Sequence, residues 1–326
     1  MNLRLRRRAA QRKIRTTHRT CYAMSKPKII IIGGPTASGK SDLAMKICAA
    51  FNGELVSADS MQVYKRLDIG TAKPGKDEQA AVRHHLIDIR EPWESYSAAD
   101  FVSDAGNAID SILAEGKLPV VCGGTGLYIE GLIHPTDYSL TQTDTGLRDR
   151  LMEKDAHELW VTLYGIDPES AAKTHENNKK RVVRALEIYY TTGITKTESD
   201  KLQKKEECDL DHLLIMTGFC GRDILYDRID RRVDKMICAG LADEVRALIE
   251  SNDLRPGTTA YQAIGYKELF PYVKGEATLE ECADALKQAT RNYAKRQLTW
   301  FSRYDGIRTD DSGAALDAVS AFTERR

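Results

Sequence analysis

Apolar positions along the chain follow two rhythms. Lys28-Ile29-Ile30-Ile31-Ile32 is a short β-branched run and predicts a buried parallel strand. Asp42 to Phe51 carries Leu43, Ala44, Ile47 and Ala50 at helical spacing. Glu54-Leu55-Val56-Ser57 predicts a second strand, His84 to Ile89 a third, and Leu118-Pro119-Val120-Val121-Cys122 a fourth. Before the fourth, Ser97 is placed to cap a helix running to about Glu115 and stopped by Gly116. Strands alternating with helices predict an α/β fold, a mainly parallel sheet with helices on both faces. From about Pro135 to His175 the pattern holds no buried strand. Leu147–Lys154 and Ala156–Leu163 are spaced as polar helices, and Ile166-Asp167-Pro168 as a turn. A small all-helical insertion over 135–175 is therefore expected. A strong helix from Asn177 to Tyr190, stopped at Gly193, returns the chain to the core. An apolar strand at His212–Phe219 and helices at Asp223–Ala239, Leu241–Glu250 and Thr278–Tyr304 complete it. The expected organisation is a core of 26–134 and 176–326, an insertion of 135–175, and an N-terminal extension of 1–25.

Composition narrows the class. No apolar run approaches the eighteen or so residues of a membrane-spanning helix. The seven cysteines form no C-x-x-C pair, so neither a zinc site nor a disulfide framework is expected, and the compartment is read as cytoplasmic. A net charge of zero hides an asymmetry. Residues 1–24 carry eight Lys/Arg and no acid, and the first acid is Asp42, so the rest of the chain holds an excess of eight acids. A globally basic nucleic-acid binder is excluded, and any RNA must be held by a local basic surface. The Arg-rich tail fits a transit peptide, an RNA-contacting arm or an extension without a role. The last is preferred, with a disordered tail and a fold that begins near Met24.

The chemistry is concentrated in Gly34-Pro35-Thr36-Ala37-Ser38-Gly39-Lys40-Ser41, which fits G-x-x-x-x-G-K-[ST]. A strand before this loop and a helix after it make an anion site. Backbone N–H groups point into the loop, and the helix dipole adds positive charge. Lys40 supplies a full charge and Ser41 a hydroxyl for Mg²⁺. The loop calls for a di- or triphosphate without naming it; the competing reading is a glycine-rich turn. Asp59 follows the second strand, where α/β folds place ligand-binding groups. A carboxylate there can act as a general base, bind a sugar hydroxyl or hold metal through water; otherwise it caps a turn with Ser60. Asp88 is preceded only by Leu86 and Ile87, and the fourth strand ends in Gly123-Gly124-Thr125 with no acid, so an NTP-hydrolysing layout is not expected. The two glycines admit close backbone approach, or simply make a turn. Lys179, Lys180, Arg181 and Arg184 put cations on one helix, and Arg228, Arg231 and Arg232 on another. Solvated ion pairs would explain these equally for Arg231.

Together these stretches resemble the tRNA dimethylallyltransferases, also called tRNA isopentenyltransferases. The resemblance runs from about Lys28 to Arg303. It rests on Gly33–Ser41, Ser57-Ala58-Asp59-Ser60-Met61-Gln62-Val63-Tyr64 and, most diagnostic, Leu67-Asp68-Ile69-Gly70-Thr71-Ala72-Lys73-Pro74. His85–Asp88, Tyr96–Phe101, Gly123–Tyr128, Gln262-Ala263-Ile264-Gly265-Tyr266-Lys267 and Lys295–Arg303 follow in order. The resemblance implies a P-loop NTPase-like fold and transfer of a dimethylallyl group from its diphosphate to N6 of an adenine. That adenine lies immediately 3′ of the anticodon in tRNAs reading codons that begin with U. It implies Asp59, Thr125 and Arg232 as catalytic residues. Gly34, Thr36, Ala37, Ser38, Gly39, Lys40, Ser41 and Arg228 would hold the diphosphate, with Mg²⁺ on Ser41. The tRNA anticodon stem-loop would meet Asp59, Ser60, Met61 and Gln62, Arg148 in the insertion, Lys180, Arg181 and Arg184, and Gln262, Gly265, Tyr266 and Lys267. No Cys or His follows Cys282, so the zinc finger of many eukaryotic relatives is not expected, and a bacterial, cytoplasmic form is. A monomer is expected. Two other readings stay open: a sister enzyme that prenylates free adenine nucleotides, and a P-loop kinase.

Overall fold

The computed structural model describes residues 26–134, 145–202 and 209–325. The tail, with its expected disorder, lies outside them. The described chain divides into two compact units, Glu130–Cys208 and the remainder.

The first unit begins with β1 (Lys28–Gly33), α1 (Lys40–Ala50), β2 (Gly53–Ser57), α2 (Lys76–Ala81), β3 (His84–His85), α3 (Ala98–Ala114), β4 (Leu118–Gly123) and α4 (Gly126–Ile133), the last crossing into the second unit. The second unit holds α5 (Thr145–Glu153), α6 (Ala156–Ile166), α7 (Pro168–Ala172), α8 (Lys179–Thr192) and α9 (Lys196–Leu202). The chain then returns through β5 (Asp211–Met216), α10 (Arg222–Cys238), α11 (Leu241–Glu250), α12 (Phe270–Val273), α13 (Leu279–Phe301), β6 (Ile307–Arg308) and α14 (Ser312–Glu324).

The six strands run β3-β2-β4-β1-β5-β6, and every pairing is parallel. The apolar run explains why β1 is central. Ile29 to Ile32 have no exposure, and both edges of β1 are paired, Ile30 with Val120 on one side and Leu213 on the other. Each such side chain contributes about 1.5–3 kcal/mol by leaving water. Ile30 and Ile32 pack on Leu43, Ala44 and Ile47 of α1 and on Val319 and Phe322 of α14. A parallel sheet directs the loops after β1, β2, β4 and β5 to one end, and that end carries the predicted chemistry.

Local signals set several boundaries. The Ser97 side chain accepts from Asp100 N at 3.2 Å and Asp100 accepts from Ser97 N at 2.9 Å, a reciprocal cap that starts α3. Gly193, at φ 78°, ends α8. The third strand is shorter than expected. Leu86 and Asp88 have φ of 63° and 56°, which breaks extension after His85. The Asp88 carboxylate is bound by Lys73 Nζ at 2.6 Å.

The insertion is larger than expected, Glu130–Cys208 instead of 135–175. The helix at Asn177–Tyr190, read as core, is α8, and its Val182, Val183, Ala185 and Leu186 close a separate core with Leu151, Leu159, Leu163 and Ala171. Asp167 knits this unit. Its carboxylate accepts from Ser170 N at 3.0 Å, capping α7, and from Thr197 N at 2.9 Å and Oγ1 at 2.6 Å on α9. Burial works to raise its pKa, but these hydrogen bonds outweigh burial and hold it below the ordinary value.

Candidate active site

The loop after β1 is tightly turned and anchored, and it lines both cavities of the first unit. Gly34 (φ 152°) passes so close to β5 that a Cβ would sit 2.7 Å from Thr217 Oγ1. Ala37 and Gly39 are left-handed at 61° and 84°, the backbone conformation that anion-binding loop concavities use. Two side chains lock the loop. Ser38 Oγ shares a buried 2.6 Å hydrogen bond with Thr217 Oγ1, and Thr36 N donates to Gln297 Oε1 at 2.9 Å. Lys40 Nζ folds back onto Pro35 O at 3.1 Å. Burial lowers the Lys40 pKa; Cys122 opposes this, Arg232 adds to it, and Asp59 opposes it. Such an ammonium is held ready for an anionic ligand.

Two cavities in the first unit share Lys40, Ser41 and Arg232. The first, about 600 Å³, is cationic: Lys46, Arg228, Arg231 and Lys235 join the shared pair against only Asp42 and Asp310. The second, about 340 Å³, is mixed: the apolar Val233, Met236, Ile264 and Leu286 line it together with Asp59, Gln62, Lys267, Tyr293 and Arg296. Burial lowers the Arg232 pKa, opposed by Asp59 and Asp42. An anion on the shared wall would thus have strong cationic partners on one side and, on the other, a mixed chamber with an apolar patch and a carboxylate.

Asp59 caps a turn and also faces a cavity. Its Oδ1 accepts from Met61 N at 2.9 Å and Gln62 N at 3.4 Å, a turn cap, while the residue lines the second cavity. Thr125 is fixed beside it, because its Oγ1 accepts from Ser60 N at 3.1 Å. The ends of β2 and β4 are pressed together here, and a Cβ on Gly123 would lie 2.1 Å from Ala58 O. Burial, with a contribution from Asp59, pushes the Tyr293 hydroxyl up to about 12.

Comparison with known proteins places this architecture. Residues 62–304 match the family described as IPP transferase. The chain belongs to that family. It is 46% identical over 281 residues to a tRNA dimethylallyltransferase of Oceanobacillus iheyensis, covering 85% of this chain and 88% of that protein. A Bacillus halodurans tRNA isopentenylpyrophosphate transferase structure is 39% identical with a TM-score of 0.64, over 92% of this chain and 96% of that one. A eukaryotic dimethylallyltransferase, captured acting on tRNA, is 32% identical with a TM-score of 0.80, over 92% and 80%.

Other expected site residues of this IPP transferase family member fall into distinct environments. Ser60, Met61, Gln62, Gln262, Gly265 and Lys267 line the second cavity. Gln62 is held by Ser57 Oγ at 2.9 Å and reaches the carbonyls of Thr71 and Ala72 at 3.4 Å. Arg228 is exposed on the first cavity, and Arg231 is paired with Asp227 at 2.8 Å. Tyr266, expected to face tRNA, is fully buried with its hydroxyl on Glu244 at 2.7 Å. In the second unit Lys180 and Arg181 are exposed. Arg148 and Arg184 instead converge on the fully buried Glu187, at 2.7 and 2.9 Å. Their charge serves that carboxylate first, because an unpaired buried carboxylate is costly. Among the described residues there is no cluster of His, Cys, Asp and Glu suited to a metal, and no helix long and apolar enough to cross a membrane.

Thr217, Tyr293 and Gln297 were not singled out from the sequence as site residues. Gln297 left a signal: it falls on the α13 stripe of Leu286, Ala294 and Phe301, an amide among buried apolar positions. Its Nε2 donates to Gly124 O at 2.9 Å, so one side chain joins the phosphate loop to the Gly-Gly-Thr turn.

Proposed function

We propose that the protein transfers a dimethylallyl group from dimethylallyl diphosphate to N6 of the adenine 3′-adjacent to the anticodon in tRNAs reading UNN codons. The observation that carries this reading is the pair of adjoining cavities. The cationic one suits a diphosphate, and the mixed one, with its apolar patch, hydrogen-bonding side chains and Asp59, suits the allyl group and an extruded base. The ATP-hydrolysing alternative loses the strand-end acid that the sequence offered it, because Asp88 is engaged by Lys73.

The reaction breaks the bond between the allylic carbon and the diphosphate oxygen and forms a bond from that carbon to N6. Loop N–H groups, Lys40, Arg232 and Arg228 receive the negative charge that develops on the leaving diphosphate. An exocyclic adenine N–H is barely acidic, so Asp59 takes the proton only as the new bond forms. Thr125 and the Asp59 turn fix where that carboxylate points. The base leaves its stack to enter the chamber, at a cost of about a few kcal/mol that contacts elsewhere on the tRNA offset.

Mg²⁺ fits the residues present. It is commonly held by one or two protein oxygens plus substrate phosphates, and Ser41 offers an exposed hydroxyl on the wall shared by both cavities. When bound, it would add positive charge at the leaving group. The reading includes a monomer working in the cytoplasm.

The test is mass spectrometry of nucleosides from tRNA incubated with the protein, Mg²⁺ and dimethylallyl diphosphate, with AMP and ATP as parallel acceptors. Isopentenylated adenosine from tRNA alone is expected. Product only on free nucleotides would establish the sister activity, and no product on any acceptor would defeat the proposal.

A further inference from the structure

Leu67 to Pro74 is the most diagnostic stretch of the sequence, yet none of its side chains has a part in the chemistry above. It folds into a self-closed turn: Thr71 Oγ1 donates to Leu67 O at 2.7 Å, and Lys73 N donates to Asp68 O at 3.0 Å. Both ends are held. Lys73, with a side chain 4% exposed, donates to Tyr64 O at 2.8 Å and to Asp68 and Asp88 at 2.6 Å each. At the other end three consecutive backbone N–H groups converge on one carboxylate from α11. Glu244 Oε2 accepts from Asp68 N at 3.3 Å and Ile69 N at 2.8 Å, and Oε1 accepts from Gly70 N at 3.2 Å. Tyr266 OH donates to the same Oε1 at 2.7 Å.

This carboxylate joins two loops. Gly70 and Thr71 line one lip of the second cavity, and Gln262 to Gly265 line another. The lips touch backbone to backbone: a Cβ on Gly265 would lie 3.0 Å from Gly70 O, and one on Gly70 would lie 2.5 Å from the Tyr266 ring. Neither Glu244 nor Tyr266 lines the cavity itself. Through Thr71 and Ala72 the same turn receives Gln62, which does line it.

We propose that Glu244 and Tyr266 are positioning residues that clamp the two lips receiving the target nucleobase. The proposal rests on the reading that the second cavity takes that base. The phosphate loop that carries Lys40 and Ser41 is held by other residues, Thr217 through Ser38 and Gln297 through Thr36, so the clamp acts on the base and not on the loop.

Steady-state kinetics of E244A, E244Q and Y266F test this, varying tRNA at saturating dimethylallyl diphosphate and then the reverse, with thermal melting of each variant. Loss of charge-assisted hydrogen bonds should raise the tRNA KM about tenfold or more in E244A. The rise should be smaller in E244Q, which keeps an acceptor, and a few-fold in Y266F, with the diphosphate KM within about twofold throughout. Y266F keeps the ring beneath Gly70, so it remains informative should E244A not fold. A lower Tm with both KM values unchanged, or an equal rise in both, would overturn the clamp. An inactive wild-type control would instead sink the assigned function.

Discussion

Gln297 Oε1 lies 2.9 Å from Thr36 N, while its Nε2 lies 2.9 Å from Gly124 O. One buried amide therefore spans the loop that cradles phosphate and the turn that carries Thr125. Gln297→Met keeps the volume and leaves the buried Gly124 carbonyl unpaired, at about 1–3 kcal/mol, and frees the half-buried Thr36 N–H. Lower Tm and a raised KM for dimethylallyl diphosphate are expected, by calorimetry and steady-state kinetics. Unaltered values of both would show that the bridge is dispensable.

Asp59→Asn is a cleaner test of the base than alanine, because the amide oxygen can still accept from Met61 N and preserve the turn. Turnover should fall by about 10²–10⁴-fold with tRNA affinity maintained. A variant with near-normal kcat would remove Asp59 from the mechanism.

The two pairs of cations in the second unit should behave differently. Lys180→Ala and Arg181→Ala change exposed side chains, so Tm should hold. Each lost phosphate contact should flatten the log–log salt dependence of tRNA affinity by roughly 0.7–0.9. Arg148→Ala strips a partner from the buried Glu187 and should lower Tm whatever it does to RNA. If Arg148→Ala melted like wild type, Glu187 would not depend on it.

Glu54 gives a pH dependence with a definite sign. It is buried on β2, bonded by Lys117 Nζ and His85 Nε2 at 2.6 Å each. Burial tends to raise its pKa, but those hydrogen bonds prevail and hold it below the ordinary 4.5. A depressed carboxyl pKa contributes stability that is fully present above the unfolded value and is lost as pH falls through the folded one. Denaturant titrations should therefore show a steeper loss below about pH 4.5 in wild type than in Glu54→Gln. Parallel acid limbs for the two proteins would refute this.

What the sequence could reveal followed from local causes. The β-branched run of β1, the cap at Ser97, the stop at Gly193 and the phosphate loop each act within a few neighbours, and each was legible. What it hid was tertiary. Helical spacing predicted α8 as a helix, but not that its Val182, Val183 and Leu186 would close a core with α6. The Lys/Arg pattern gave no hint that Glu187 lies at zero exposure between Arg148 and Arg184. Tyr266 and Gln297 belonged to recognised stretches, yet only the fold distinguishes a side chain that faces a cavity from one that holds its wall. β6 was missed because two residues carry no periodicity.

Both outer strands of the sheet, β3 and β6, are only two residues long. A sheet margin is a template for another chain, and its reach grows with the number of unpaired backbone groups in line. Here Leu86 swings into a left-handed conformation directly after His85, and Gly306 abuts Leu214 before the short β6 pairing begins. The central strands, rich in isoleucine and valine, are the segments most able to seed fibrils if exposed. Brief margins leave little to recruit a neighbouring molecule, which protects a crowded solution of this enzyme from edge-to-edge polymerisation.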